Sequence, residues 1–210
     1  MSPLPEPAPD SLSLQVMRRV LTAEAARRPA TAPWPPAGSA ASVALALAGE
    51  ESALALAMIL RAERPGDPWS GQMALPGGRA DPGDASPAAV AERETQEELG
   101  IVLRRDQLIA PLEDHPVRRG GVDIGMRLYP FVYELGAERP AFHPNHEVAQ
   151  AFWVPLRDLA NPARWRRHRF ERGGQNFDFP AIGFERQVIW GVTYRVLAEF
   201  FRCLGVVLPS

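Results

Sequence analysis

Leu75-Pro-Gly-Gly-Arg-Ala-Asp-Pro-Gly-Asp84, running on into Ser86-Pro-Ala-Ala-Val-Ala-Glu-Arg-Glu-Thr-Gln-Glu-Glu-Leu-Gly100, is the stretch that decides how the rest of the chain is read. Its second half predicts a helix with both ends marked. Ser86 is a good N-cap, Pro87 sits where the first helical residue belongs, and Gly100 sits where a left-handed terminator is expected. At ~100° per residue, Glu94, Glu97 and Glu98 share one arc of that helix. Ala88, Ala91, Thr95 and Leu99 make the neighbouring face, small and apolar enough to pack on a sheet. Arg93 lies one turn before Glu97 and can pair with it.

Three carboxylates on one arc repel one another unless something cationic sits among them. Hard oxygen donors suit Mg²⁺ or Mn²⁺. The Gly77-Gly78 backbone, free of side chains, can approach closely enough to offer a carbonyl to the same ion. Such a cluster can bridge phosphate oxygens, neutralise their charge and activate a water. An isolated E-x-x-E-E would be a solvated helix face. Here it comes with a glycine turn, a cap and an Arg-Glu pair, and the combination favours a metal site.

Gly78, Asp84, Arg93, Glu94, Thr95, Glu97, Glu98, Gly100 and Ile101 resemble the Nudix box, G-x5-E-x7-R-E-U-x-E-E-x-G-U, where U is bulky and apolar. Asp84 stands for the first Glu, the gap to Arg93 is longer by one, and Thr95 is less apolar than usual. The coenzyme A pyrophosphatase branch of the family has a similar Pro-Gly-Gly-x-x-Asp-Pro-x-Asp run and a similar gap. The box covers about 24 residues. The resemblance implies an α/β/α sandwich around a mixed sheet, and metal-dependent hydrolysis of a nucleoside diphosphate linked to another group. It implies Glu94, Glu97, Glu98 and the Gly78 carbonyl as metal ligands with Mg²⁺ or Mn²⁺. Glu94 is alternatively the base for the attacking water, and Arg93 holds the glutamates.

Substrate choice falls outside the box. Ile59-Leu60-Arg61-Ala62 and Gly71-x3-Leu75-Pro-Gly-Gly78 resemble the segment preceding the box in the coenzyme A branch, though Asp67 stands where that branch has an Arg. Arg61, Arg64 and Arg79 are the candidates for holding substrate. His146-Glu147-Val148, followed by Phe152-Trp-Val-Pro-Leu156, looks like the Glu…W-V-P-L region of Nudix enzymes and makes Glu147 a further catalytic candidate. Ile189-Trp-Gly-Val-Thr193 resembles the start of the last helix in the same branch, where packing is the expected role. The expected substrate is coenzyme A or a derivative, cleaved to 3′,5′-ADP and 4′-phosphopantetheine. The alternatives are ADP-ribose, another nucleotide sugar or a nucleoside triphosphate. Outside the enzyme class stands a binding module on the same fold, which has no need for three crowded carboxylates.

Composition narrows the remaining classes. A net charge of −2 does not suit a general nucleic-acid binder. All 23 basic residues are Arg, which reads as coding bias. The single cysteine, Cys203, permits no internal disulfide and suits a reducing compartment; its apolar helical surroundings predict a core residue. No apolar run approaches the roughly 20 residues that span a bilayer, so no membrane partner is expected. Met1-Ser-Pro-Leu-Pro-Glu-Pro lacks the features of a signal peptide, and a cytoplasmic protein is expected.

Taken in order, residues 1–9 read as disordered. Asp10 or Ser11 caps a predicted helix to about Arg28 whose Leu14, Met17, Leu21 and Ala25 form a stripe, to be buried on the chain itself or in a homodimer. Residues 1–34 are therefore a helical extension with its linker, and 35–210 the catalytic domain. Ser42–Ala48 and Ala53–Arg61 read as paired strands, and Gln72–Leu75 as a short one ending in the glycine turn. Further strands are expected near Gln107–Leu112, over Val122–Leu135 with Pro130 marking an edge or bulge, and over Ala149–Val154. Arg164–Arg172 reads as a basic loop with some capacity for phosphate, Gly173-Gly174 as a hairpin turn, and Arg186–Leu204 as a closing apolar helix. His143 and His146 lack partners at zinc-like spacing.

Overall fold

The computed structural model describes residues 12–27, 38–67, 69–119 and 122–210. The expected disorder of residues 1–9, the cap at Asp10 or Ser11, the Pro-rich linker and the 34/35 boundary lie outside the described residues. The chain starts with α1 (Leu14–Arg27) and then β1 (Ala40–Ala48) and β2 (Ala55–Arg61). β3 (Met73–Ala74), β4 (Gly77–Arg79) and α2 (Pro87–Leu99) follow, then β5 (Leu108–Pro111), β6 (His115–Arg119) and β7 (Val122–Glu134). β8 (Val148–Pro155), the short α3 (Leu156–Leu159), β9 (Trp165–Arg172), β10 (Gln175–Phe184), β11 (Gln187–Ile189) and α4 (Gly191–Cys203) complete it. Among the described residues no helix is long and apolar enough to cross a membrane.

β1 is the axis of the main sheet. It runs parallel to β7 along its whole length. On its other side it pairs antiparallel with β4 at its start and with β2 at its end. β8 extends the sheet beyond β2, β3 pairs the edge of β2 opposite β8, and β5 and β6 extend the sheet beyond β7. The sheet is thus mixed, as expected, and helices cover both faces. The alternation of β1 explains which helix goes where. Ala44 and Ala46 face α2, together with Ala57 and Ile59 of β2 and Ala91 and Leu99 of α2. Leu45, Leu47, Leu56 and Met58 point the other way, into a core shared with α1 and α4. Small side chains on one face let α2 lie close to the sheet; leucines on the other fill the wider gap.

α1 packs on this same core. Met17 and Leu21 are fully buried, with Phe200 and Phe201 of α4 in the same cluster. Removing each such side chain from water contributes about 1.5–3 kcal/mol. The stripe read from the sequence is therefore covered within one chain, and its burial needs no second subunit. Cys203 is half-buried at the margin of this core, near Glu199.

Four local expectations are corrected. Gly77–Arg79 is a strand, where a plain turn was expected: β3 ends its pairing with β2 at Ala74, the chain switches partner at Leu75-Pro76, and the Pro76 carbonyl accepts a hydrogen bond from the Ala44 amide. The basic run is β9, hairpin-paired with β10 through the Gly173-Gly174 turn. Gln187–Ile189 is a strand of the same small sheet, so α4 begins at Gly191. Finally, Pro130 sits in an interior strand. Its carbonyl accepts from Leu112, and its missing N–H falls where β7 passes from pairing β5 to pairing β6, so no ladder bond is lost.

Candidate active site

α2 is fixed at both ends before it meets anything else. Ser86 Oγ accepts the Ala89 amide at 3.2 Å. Gly100 adopts φ 69° and its amide reaches the Gln96 carbonyl at 2.9 Å. A side chain at 100 would also collide with His143, so this end needs glycine for two reasons. Thr95, the odd residue on the apolar face, is fully buried and donates its hydroxyl to the Ala91 carbonyl at 2.7 Å. That back-bond satisfies the polar atom and lets the face pack as if apolar.

The three glutamates of the helix separate. Glu98 is 1% exposed, and its carboxylate accepts the Gly77 amide at 2.8 Å. Burial pushes Glu98 up to about 8; the Gly77 amide opposes the shift and the nearby Glu94 adds to it. Glu94 is likewise raised by burial, against the pull of Arg93. Its carboxylate lies so close to the Gly78 backbone that a Cβ on residue 78 would stand 2.4 Å from it. Glu97 turns outward and is half-exposed. The sequence placed all three on one arc; the structure puts two at the cavity and one at its outer edge.

Arg93 is the hub. It donates to Asp84 at 3.0 and 3.1 Å, to Glu94 at 2.9 Å, to Glu97 at 3.2 Å and to the Arg79 carbonyl at 3.1 Å. The guanidinium holds buried Asp84 below the usual carboxylate range. Asp84 also accepts the Asp81 amide, which closes the Asp-Pro-Gly-Asp turn onto the helix. Position 84, read only as a variant motif residue, is thus the main anchor of Arg93.

Glu147 arrives from the far side. Its loop is tied to the end of α2 by Asn145, whose amide meets the Glu98 carbonyl at 3.3 Å, and to β2 by the Ala62 amide. Glu147 receives Arg64 at 2.8 Å. Arg61 donates to Asp67 at 2.9 Å and stands 3.8 Å from Glu98. Its buried Nε has no hydrogen-bond partner among the described residues. Asp67, at the position where an arginine was anticipated, therefore orients Arg61. His143 and His146 join no such constellation: among the described residues no three His, Cys, Asp or Glu side chains close on a single point.

These groups line one end of a cavity of about 1010 Å³: Glu94, Glu98 and Glu147 beside Arg61, Arg64 and Arg79. Gly77 and Gly78 form its floor, and Gly77 tolerates nothing larger, since a Cβ there would sit 2.2 Å from the Ser42 carbonyl. The other end is lined by Phe170, Phe179 and Trp190 with Arg118 and Arg195. Trp190 is a wall residue as well as a packing one, which the helix-start motif did not reveal.

The profile of the NUDIX domain matches residues 38–172. A protein of Yersinia pestis (strain Pestoides F), described as uncharacterized Nudix hydrolase NudL, is 32% identical over 140 residues, which is 65% of this chain and 66% of that one. A protein of the same description from Yersinia pseudotuberculosis (serotype O:1b, strain IP 31758) gives the same figures. The aligned part stops just short of two thirds of those relatives' length. Among solved structures, a MutT/nudix family protein from Enterococcus faecalis superposes with a TM-score of 0.53 at 15% identity, over 82% of this chain and 64% of that one. At that identity the likeness is one of fold.

Proposed function

This chain belongs to the Nudix family, and from that premise we propose that residues 35–210 form a divalent-cation-dependent hydrolase of nucleoside diphosphates linked to another group, with coenzyme A or a derivative as substrate. One observation carries the reading. Glu98 is a buried carboxylate held by the Gly77 amide, with Glu94 and Glu147 near enough to raise its proton affinity. Burying so much negative charge at one wall is unfavourable unless a cation compensates it.

The donor set fits such a cation. Carboxylate oxygens and a glycine backbone that Glu94 nearly touches are hard ligands for Mg²⁺ or Mn²⁺. Glu94, Glu98 and the Gly78 carbonyl would hold the ion, with Glu97, paired to Arg93, at the outer edge of the set. Bound there, the ion supplies charge neutralisation for the diphosphate and activation of water. The protein groups supply the rest. Arg61, with its unfilled Nε, and Arg64 and Arg79 hold phosphate oxygens. Glu94 or Glu147 takes the proton from the attacking water. Arg93, itself held by Asp84 and the Arg79 carbonyl, keeps Glu94 in place.

The coenzyme A assignment is supported by the long Asp84-to-Arg93 gap and the Ile189–Thr193 run. Products would be 3′,5′-ADP and 4′-phosphopantetheine. A screen of coenzyme A, ADP-ribose, NADH and nucleoside triphosphates with Mg²⁺ and Mn²⁺ tests it. Coenzyme A is expected to be cleaved fastest. Cleavage of ADP-ribose with coenzyme A untouched would refute the substrate and leave the hydrolase; cleavage of nothing would favour a binding module.

A further inference from the structure

The two arginines that flank the acidic end from the loop between β2 and β3 are held in different ways. Arg61 is fixed. It donates to Asp67 at 2.9 Å, Asp67 accepts the Trp69 amide at 3.0 Å, and both side chains are largely covered. Arg64 is held only loosely. In its pair with Glu147, at 2.8 Å, the side chains are 40% and 35% exposed, and both residues line the cavity. An ion pair so open to water contributes little and breaks readily.

The backbone on either side of that pair is pinned. The Arg64 amide donates to Ser70 Oγ at 2.7 Å, and the Ala62 amide to the Glu147 carbonyl at 2.8 Å. The Glu147 amide donates to Asn145 Oδ1 at 2.8 Å. The two side chains can therefore part by rotation alone, with their main chains in register. A phosphate group offers a guanidinium two oxygens and a full negative charge, so it competes well against one exposed carboxylate oxygen. An anion lying between the arginines and the acidic wall meets Arg64 where Glu147 holds it. Glu147, once released, bears an uncompensated charge at the wall where Glu94 and Glu98 already feel it.

We propose that Arg64 is a latch on Glu147: its guanidinium occupies the carboxylate while the cavity is empty, and a substrate phosphate draws it away, freeing Glu147 to accept a proton from water only when a substrate is present. The inference rests on the diphosphatase reading and deepens it. The arginine that holds the phosphate is also the group that withholds the base, and Glu147, of the two candidate bases, is the one that acts.

The test is calorimetric binding of ADP, in EDTA, to the full chain as wild type, Glu147→Gln, Arg64→Gln and the double variant. Both side chains are open to solvent, so the variants are expected to fold, and melting curves check that. Glu147→Gln should bind ADP about two- to fivefold more tightly than the wild type, because no ion pair has to be broken first. The same substitution should gain less in the Arg64→Gln background. Simple repulsion between Glu147 and ADP predicts the opposite order, because Glu147 loses its counter-charge when Arg64 is removed. A gain that is as large or larger without Arg64, or weaker binding by Glu147→Gln, would overturn the latch. ADP binding to none of the four would overturn it together with the phosphate role of the arginines. The catalytic reading fails separately: an Arg64-dependent gain in a protein that cleaves no diphosphate would keep the exchange of partners and remove the hydrolase, while turnover without that gain would remove the latch alone.

Discussion

The two ends of the cavity are built in opposite ways. The acidic end comes almost entirely from one continuous stretch, Gly77 to Glu98, in which a two-glycine strand lies against the helix that follows it. Only Glu147 and the arginines of residues 61 and 64 come from elsewhere. The aromatic end is assembled from β6, β9, β10 and the start of α4, segments far apart along the chain. On the proposed function the contrast is a division of labour. The carboxylates that would carry the chemistry are encoded locally, where a cap and a glycine can fix them. Choice among substrates would fall to the distant segments.

Substitutions should divide along the same line. Glu98→Gln removes the most buried carboxylate of the acidic end and should lower turnover on the order of 10²- to 10³-fold, with the thermal unfolding midpoint unchanged or raised. Steady-state rates with the preferred diphosphate and a melting curve check this; full activity would break the assignment. Arg93→Gln touches no reacting atom yet frees Asp84, Glu94 and Glu97 together, so cation affinity and rate should fall about 10- to 100-fold. Glu97→Gln should do least of the three. Its pair with Arg93 is solvent-exposed, and the expected loss is about fivefold or less. If Glu97→Gln proved as damaging as Glu98→Gln, the outward orientation of Glu97 would not be the working one.

Much of the acidic end was legible in the sequence because its determinants are neighbours along the chain. Ser86 and Gly100 bound the helix as expected, and the Arg93–Glu97 pair forms at the expected spacing. The separation of Glu97 from Glu98 was not legible, because it is decided by the Gly77 amide, 21 positions away. Nor was the strand character of Arg164–Arg172. Its density of charge masks a two-residue period in which His168 and Phe170 turn to Trp190 while Arg167 and Arg169 reach across to Asp178. Pro130 misled for a related reason: its missing N–H faces the join between β5 and β6, where no ladder bond is made, so the strand stays interior.

The smallest expected effect belongs to β6. His115 is partly buried in β6, and burial, with Arg195 nearby, lowers its pKa below the ordinary 6.5. The folded chain therefore keeps His115 neutral at pH values where the unfolded chain protonates it. Stability should be level above pH 6.5 and decline as the pH falls below it. Unfolding midpoints from pH 8 to pH 5 should show that decline in the wild type and a shallower one in His115→Gln. Superimposable profiles would exclude His115 as the source.

The central claim, that the carboxylates of α2 and the glycine strand hold a divalent cation, is tested most directly by titrating Mn²⁺ into the substrate-free protein and following free Mn²⁺ by electron paramagnetic resonance. The wild type should bind at least one Mn²⁺, and Glu98→Gln should weaken that binding by about tenfold or more, whatever the substrate proves to be. Equal Mn²⁺ affinity in the two proteins would contradict the account.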